Sequence, residues 1–187
     1  MFRSIVLRKA PRLAAVLALG ALMTPAGAQA QGCANVNLKP SRGNLEAVRA
    51  AVLCLTNQER ARHGLSALRE NPRLRRAADQ HSEHMVDARF FDHTSPGGGT
   101  MLDRIRRTGY TGGARAWSLG ENIAWGSGRL ATAAQIHRGW MRSAGHRANI
   151  LQRSFREIGI GVEAGVPVRL SASQSGATYT TDFGFRR

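Results

Sequence analysis

Cysteine, lysine and acidic residues are all scarce in this chain of 187 residues. Two cysteines, Cys33 and Cys54, allow one bridge at most. Lysine occurs only at positions 9 and 39, so nearly all of the 27 cationic side chains are arginine, set against 12 Asp and Glu for a formal charge of +15. No apolar run reaches the roughly 20 residues that a membrane-spanning helix needs. The longest, LAAVLALGALM, is followed closely by Pro25. There is no internal repeat, no low-complexity linker, no HExxH helix, and no nucleophile elbow or oxyanion-hole signature around Ser143.

The N-terminus explains the apolar run. Arg3, Arg8, Lys9 and Arg12 precede it and TPAGAQA follows, the order of a secretory signal peptide cut after Ala30. Lipidation of Cys33 is disfavoured, because Ala30-Gln31-Gly32 lacks the aliphatic residue expected ahead of such a cysteine. The expected organisation is a signal peptide over 1–30, a leader over 31–43 tied by a disulfide, and one domain over 44–187. Both cysteines lie beyond the cut in an exported chain, so a Cys33–Cys54 bridge is expected, with a buried Cys54 thiol as the alternative. Setting aside the four leader cations lowers the charge to +11. Such a surface favours lipid or an anionic envelope polymer and peripheral membrane contact over specific nucleic acid, although scattered arginines are also an ordinary solvated surface. The expected location is secreted or periplasmic, and the expected state a monomer.

Helical spacing begins after Asn44, a good N-cap residue, and runs through Leu45, Val48, Val52 and Leu55 until Gly64. A second helix starts at Asn71-Pro72, with His81 on its apolar side. FFDHTSPGGG reads as a loop, TMLDRIRR as a short helix capped by Thr100, and LATAAQIHRGWMRS as another helix. The last third changes period. REIGIGVEAG and GATYTTDFGF alternate as antiparallel strands do, and PVRLSA between them reads as a third. Helices followed by a strand cluster predict an α+β domain.

Three ionisable side chains sit where glycine or a turn lets them project: His93 in FFDHTSPGGG, Glu121 in GENIAWG and His146 in SAGHRAN. Two imidazoles and a carboxylate form the ligand set of many zinc sites with a position open to water. Their separation along the chain is too long for local geometry, so only tertiary folding could assemble them. The bland alternative is His93 capping its loop, Glu121 bonding nearby amides and His146 opening a helical turn. Ser143, three residues before His146, could be a serine nucleophile beside its base, but the end of a helix describes it better. His81 is expected to be packed beside the site, and Asn122 to bond backbone around the glutamate turn. Trp117, Trp125 and Trp140 read as core, and His63 as a cation at a helix terminus.

FFDHTSP, LGENIAWG and WMRSAGHRANILQRSFREIGIGV, in that order, resemble the bacterial branch of the CAP superfamily of cysteine-rich secretory, antigen five and pathogenesis-related proteins, also called the SCP domain. The resemblance runs from about Leu45 to Phe185. It implies a three-layer α-β-α sandwich with a small antiparallel sheet and a cavity lined by two histidines and acidic residues, where some members bind a divalent metal such as zinc. On that resemblance His93, Glu121 and His146 are cavity residues and the expected metal ligands. Many eukaryotic relatives carry a second glutamate three residues after the helix tryptophan. Here Ser143 follows Trp140 at that distance, which removes one anionic ligand. The expected role is a binding or interaction module for a lipid or cell-wall ligand. The alternative is a metal-dependent hydrolase using the same cavity.

Overall fold

The computed structural model describes residues 2–9, 32–168 and 175–187. In chain order the elements are β1 (Phe2–Lys9), α1 (Leu45–Arg62), β2 (Arg69–Glu70), α2 (Pro72–Asp87), α3 (Met101–Arg107), β3 (Trp117–Ser127), α4 (Ala133–Arg142), α5 (Ala144–Ile150), β4 (Glu157–Glu163) and β5 (Gly176–Arg186), with a single 3-10 turn at Gly128–Ala131 ahead of α4. The strands form one sheet in the order β1-β3-β5-β4-β2. It is larger than the small antiparallel sheet expected, and mixed, because β2 runs parallel to β4 over two residues. The fold is α+β, as the order of helical and alternating segments predicts.

The layers follow from the pattern of β4. Ile158, Ile160 and Val162 alternate toward a core shared with Val48 and Val52 of α1 and Ile136 and Trp140 of α4. Gly159 and Gly161 alternate toward α2. A Cβ at either would collide with the backbone of α2 at Leu74 and Arg75 or at Ala78 and Asp79. The two glycines let the α2 backbone lie directly on the strand. A second apolar cluster joins Leu74 and Ala77 of α2, Met101 and Ile105 of α3, Tyr110, and Trp117 and Leu119 of β3.

Most helix ends match their sequence signals. Asn71 accepts hydrogen bonds from the amides of Arg73 (2.9 Å) and Leu74 (3.3 Å), and Thr100 with Asp103 forms a capping box on α3. Gly64 adopts φ +64 just past α1, the left-handed position that glycine favours. Asn44 differs from expectation. Its side chain accepts from the Ser41 amide (2.8 Å) and donates to the Lys39 carbonyl (3.0 Å), closing the preceding turn and making no cap bond to α1. The Cys33–Cys54 bridge forms with Cα atoms 5.7 Å apart and fastens that segment to α1.

Three segments depart from the sequence reading or escape it. GENIAWG, expected to turn at Glu121, lies within the long strand β3. It is buried on both faces and carries no alternation to betray it. Residues 2–9, expected to stand apart from the domain, pair antiparallel with β3 from Phe2 opposite Ala124 to Lys9 opposite Trp117, and Ile5 and Leu7 pack on the second cluster. The cut after Ala30, and most of the strand expected in PVRLSA, lie outside the described residues.

Arg60, near the end of α1, is fully buried. Its guanidinium donates to the carbonyls of Ser66 (2.8 Å), Ile150 (2.7 Å), Gln152 (3.1 Å) and Phe155 (3.3 Å). One planar fork thereby satisfies four carbonyls of the turns after α1 and α5.

Because the α2 backbone occupies the space a side chain would need, Gly159→Ala should lower unfolding stability by about 2 kcal/mol or more. Gly43→Ala, where a Cβ meets open space, should stay within about 0.5 kcal/mol of the parent. Urea titration of both variants measures the difference.

Candidate functional site

Strand β3 organises the site because successive side chains leave it on opposite faces. Glu121 faces α2 and α3, and Asn122 faces α5. On the first face the Glu121 carboxylate is fully buried and both of its oxygens are engaged. Oε1 meets His93 Nδ1 at 2.7 Å, and Oε2 accepts from Arg104 of α3 at 2.7 Å. Arg104 also donates to the backbone carbonyl of His93 (2.9 Å), so one guanidinium fixes both partners. His81 of α2, fully buried, reaches the Asp92 carbonyl through Nε2 (3.0 Å) and holds the loop that carries His93.

Electrostatics assign the protons. Burial alone would push the Glu121 carboxyl up, but the Arg104 charge and the His93 hydrogen bond overcome it and hold it at about 2. Glu121 is therefore an anion at any physiological pH. A carboxylate anion can only accept, so Nδ1 of His93 donates to it, and the other ring nitrogen, Nε2, is buried without a hydrogen-bond partner among the described residues. Burial pushes His81 down to about 4 and keeps it neutral. Asp182 of β5 lies directly across the ladder from Glu121 and is fully buried. Burial and the adjacent Glu121 anion raise its carboxyl well above the usual range, so Asp182 keeps its proton while Glu121 does not.

On the other face, Asn122 donates to the backbone carbonyl of His146 (3.1 Å), and Asn149 donates to the Glu121 carbonyl (3.2 Å) and to Oδ1 of Asn122 (2.8 Å). Asn122 thus bonds backbone, as expected, but that of α5 instead of a local turn. His146 lies in the first turn of α5 and its Nδ1 meets Ser143 Oγ at 2.6 Å. Ser143 caps the C-terminus of α4 in an extended conformation. That is not the strand-to-helix elbow of a serine nucleophile.

The fold therefore gathers His93 with Glu121 and His146 with Ser143, and links the two pairs through β3. Among the described residues no group of three or more His, Cys, Asp or Glu stands together as a metal cage. Arg104 and Asp182 escaped the sequence reading. Arg104 shares helical spacing with buried Met101 and Ile105, and Asp182 shares strand parity with buried Thr178 and Thr180. Those periodicities were the available signals. Trp140 is core as expected, whereas Trp125 is only partly covered.

Two outcomes follow from the buried charges. Arg104→Ala leaves the Glu121 anion without its cation and should cost about 3 kcal/mol or more in urea unfolding. Asp182→Asn tests the retained proton. A raised carboxyl contributes stability below its unfolded value near 4 and loses it as pH rises, because the unfolded chain ionises first. The asparagine variant has no such loss, so its stability relative to the parent should improve between pH 4 and pH 7. A pH-independent difference between the two would contradict the assignment.

Comparison with known proteins places this geometry. The model of the cysteine-rich secretory protein family, CAP, matches residues 53–166. The uncharacterized protein YkwD of Bacillus subtilis is 37% identical over 123 residues, covering 65% of this chain and 45% of that protein. The uncharacterized membrane protein YlbC of the same organism is 34% identical over 112 residues, covering 60% and 30%. The chain thus spans less than half the length of these curated relatives. Among solved structures, an extracellular protein containing an SCP domain from Bacillus anthracis superposes with TM-score 0.59 at 29% identity, over 77% of this chain and 43% of that one. An outer surface protein of Borrelia burgdorferi, at 16% identity and TM-score 0.56 over 78% of this chain and 95% of that one, shares the fold. The chain belongs to the cysteine-rich secretory protein (CAP) family.

Proposed function

We propose that the chain acts outside the cytoplasm as a binding module whose histidine site takes up a divalent cation such as zinc, weakly, through His93 and His146. The supporting observation is the orientation of His93. A carboxylate on Nδ1 with a buried, unpartnered Nε2 is the arrangement by which proteins present an imidazole to a metal. Glu121 serves this reading as the group that orients His93, since Arg104 and His93 already occupy both its oxygens. Bound there, a cation would supply Lewis acidity; the chain's own residues hold the imidazole in one tautomer and keep water from the Glu121 carboxylate. Ser143 brings no charge to the His146 side, so the site carries fewer anionic donors than many relatives have, which favours weak binding.

The location rests on the signal-peptide pattern, on a disulfide suited to an oxidising compartment, and on the extracellular description of the Bacillus anthracis neighbour. Among the described residues no helix is long and apolar enough to cross a membrane. The arginine-rich surface would add salt-sensitive attraction to anionic envelope polymers.

Calorimetric titration with zinc tests the cation reading. Binding should weaken as pH falls through the imidazole range near 6.5, disappear in His93→Ala and in His146→Ala, and strengthen in Ser143→Glu, which adds an anionic oxygen beside His146. Equal zinc affinity in the parent and in both folded alanine variants would overturn it.

A further inference from the structure

Strand β1 has two properties that do not belong together. It covers one edge of the sheet, pairing with β3 in unbroken register from Phe2 opposite Ala124 to Lys9 opposite Trp117. It also lies within the leader that the N-terminal pattern expects to be cut off after Ala30. Export would then remove β1 and leave the outer edge of β3 bare.

Strand β3 is poorly made for a bare edge. Natural edges are commonly blunted by lysine, proline or a bulge. WSLGENIAWGS has neither lysine nor proline, its pairing with β5 runs from Trp117 to Ser127 without a bulge, and its one charge is matched by Arg104. In an antiparallel sheet alternate residues of a strand turn their N–H and C=O groups to the same neighbour. Loss of β1 therefore leaves a row of β3 backbone groups in need of partners.

The side chains of β1 show what this edge accepts. Ser4 faces α5, where its Oγ accepts from Asn149 (2.8 Å) and donates to Oδ1 of Asn122 (3.3 Å). Asn149 also reaches the Ile5 carbonyl (3.2 Å). The seat for Ser4 is narrow, because a Cβ added at Gly145 would stand 3.3 Å from the Ser4 Cβ. Ile5 and Leu7 face the other way, opposite Glu121 and Leu119, and pack on the cluster of α2, α3 and β3. Val6 between them is 41% exposed. The seats thus take a small polar residue followed by apolar residues one and three positions later.

We infer that in the exported protein the outer edge of β3 binds an extended segment of another polypeptide by antiparallel strand addition, with the small residue at Asn149 and Gly145 and the apolar residues in the seats of Ile5 and Leu7. The inference rests on removal of the leader outside the cytoplasm and does not depend on the cation. Main-chain hydrogen bonds supply the affinity and the alternating seats the specificity. Residues 2–9 carry Arg3, Arg8 and Lys9, and the chain itself is strongly cationic, so charge attraction does not assist the contact.

The test uses the exported protein, the uncut chain and, as probe, the synthetic peptide FRSIVLRK of residues 2–9. Mass spectrometry should find residues 2–9 absent from the exported protein; their retention overturns the proposal, because the edge would stay filled. The peptide should bind the exported protein and slow amide hydrogen exchange in Trp117–Ser127 but not in Glu157–Glu163. The uncut chain should bind it at least about tenfold more weakly, since β1 competes as part of the same molecule. N-methylation of the peptide at both Ile5 and Val6 removes whichever of two successive N–H groups faces β3, and should cost about tenfold or more, as should scrambling the sequence. Gly145→Leu, at an exposed position beside the Ser4 seat, should weaken the peptide without lowering the thermal midpoint. Equal binding by the exported and uncut proteins, equal binding of the parent and scrambled peptides, or unchanged exchange in β3 would each overturn the proposal. Exported protein that is dimeric, with β3 amides already protected and released by the peptide, would assign the edge to a second copy instead. The mass reports on the leader and the peptide on the edge, so the two readings fail separately.

Discussion

A carboxylate buried in the middle of a sheet must be matched by a cation, and the arrangement of Glu121, Arg104 and His93 answers that requirement. Removing an unpaired charge from water costs far more than one side chain can recover by packing. Glu121 therefore dictates that α3 deliver Arg104 to the same face of β3, and that the loop before α3 fold back so that His93 takes the other oxygen. The loop and helix meet at Arg104, which holds the carboxylate and the His93 carbonyl together. His81 secures the loop from the opposite side, through the carbonyl of Asp92. What relatives present as a cavity motif is, in this chain, first a solution to charge burial. His93 Nε2, buried and without a hydrogen-bond partner among the described residues, is what that solution leaves over.

Much of this was visible in the residues. Asn71-Pro72 and Thr100 marked helix starts because their caps are local, made within three residues of the signal. The alternation of isoleucine and glycine in EIGIGVE exposed both the strand and its two unlike faces, since the period of a strand is independent of what packs on it. The bridge between the cysteines followed from their number and from the compartment. The rest depended on distance in space. Strand β3 is covered on both sides and so lost the alternation by which β4 and β5 were read. Arg104 looks in sequence like the exposed Arg106 and Arg107 beside it; only its phase on the helix, in step with Met101 and Ile105, separates a buried cation from a solvated one. Asn44 misled because its residue type suits a helix cap and a turn equally well.

The surroundings of Glu121 and the outer end of α4 are chemically unlike. On the α2 and α3 face, Glu121 is buried and bonded to both Arg104 and His93. Near the outer end of α4, the surface is apolar and its cations are unpaired. Ser143 touches both regions, as the partner of His146 and as one of the residues lining a recess between the end of β3 and α4. A glutamate there would place an anion beside arginines and histidine together.

Arg60 gives the framework a mechanical character. Its guanidinium grips the carbonyls of Ile150, Gln152 and Phe155 at the exit of α5, while Asn122 of β3 holds the His146 carbonyl and Asn149 of α5 donates back to the Glu121 carbonyl. A seven-residue helix clamped at both ends has no axis left about which to swing. The backbone of His146 is thereby tied to β3 and its ring to Ser143, so the framework sets the position of this half of the site.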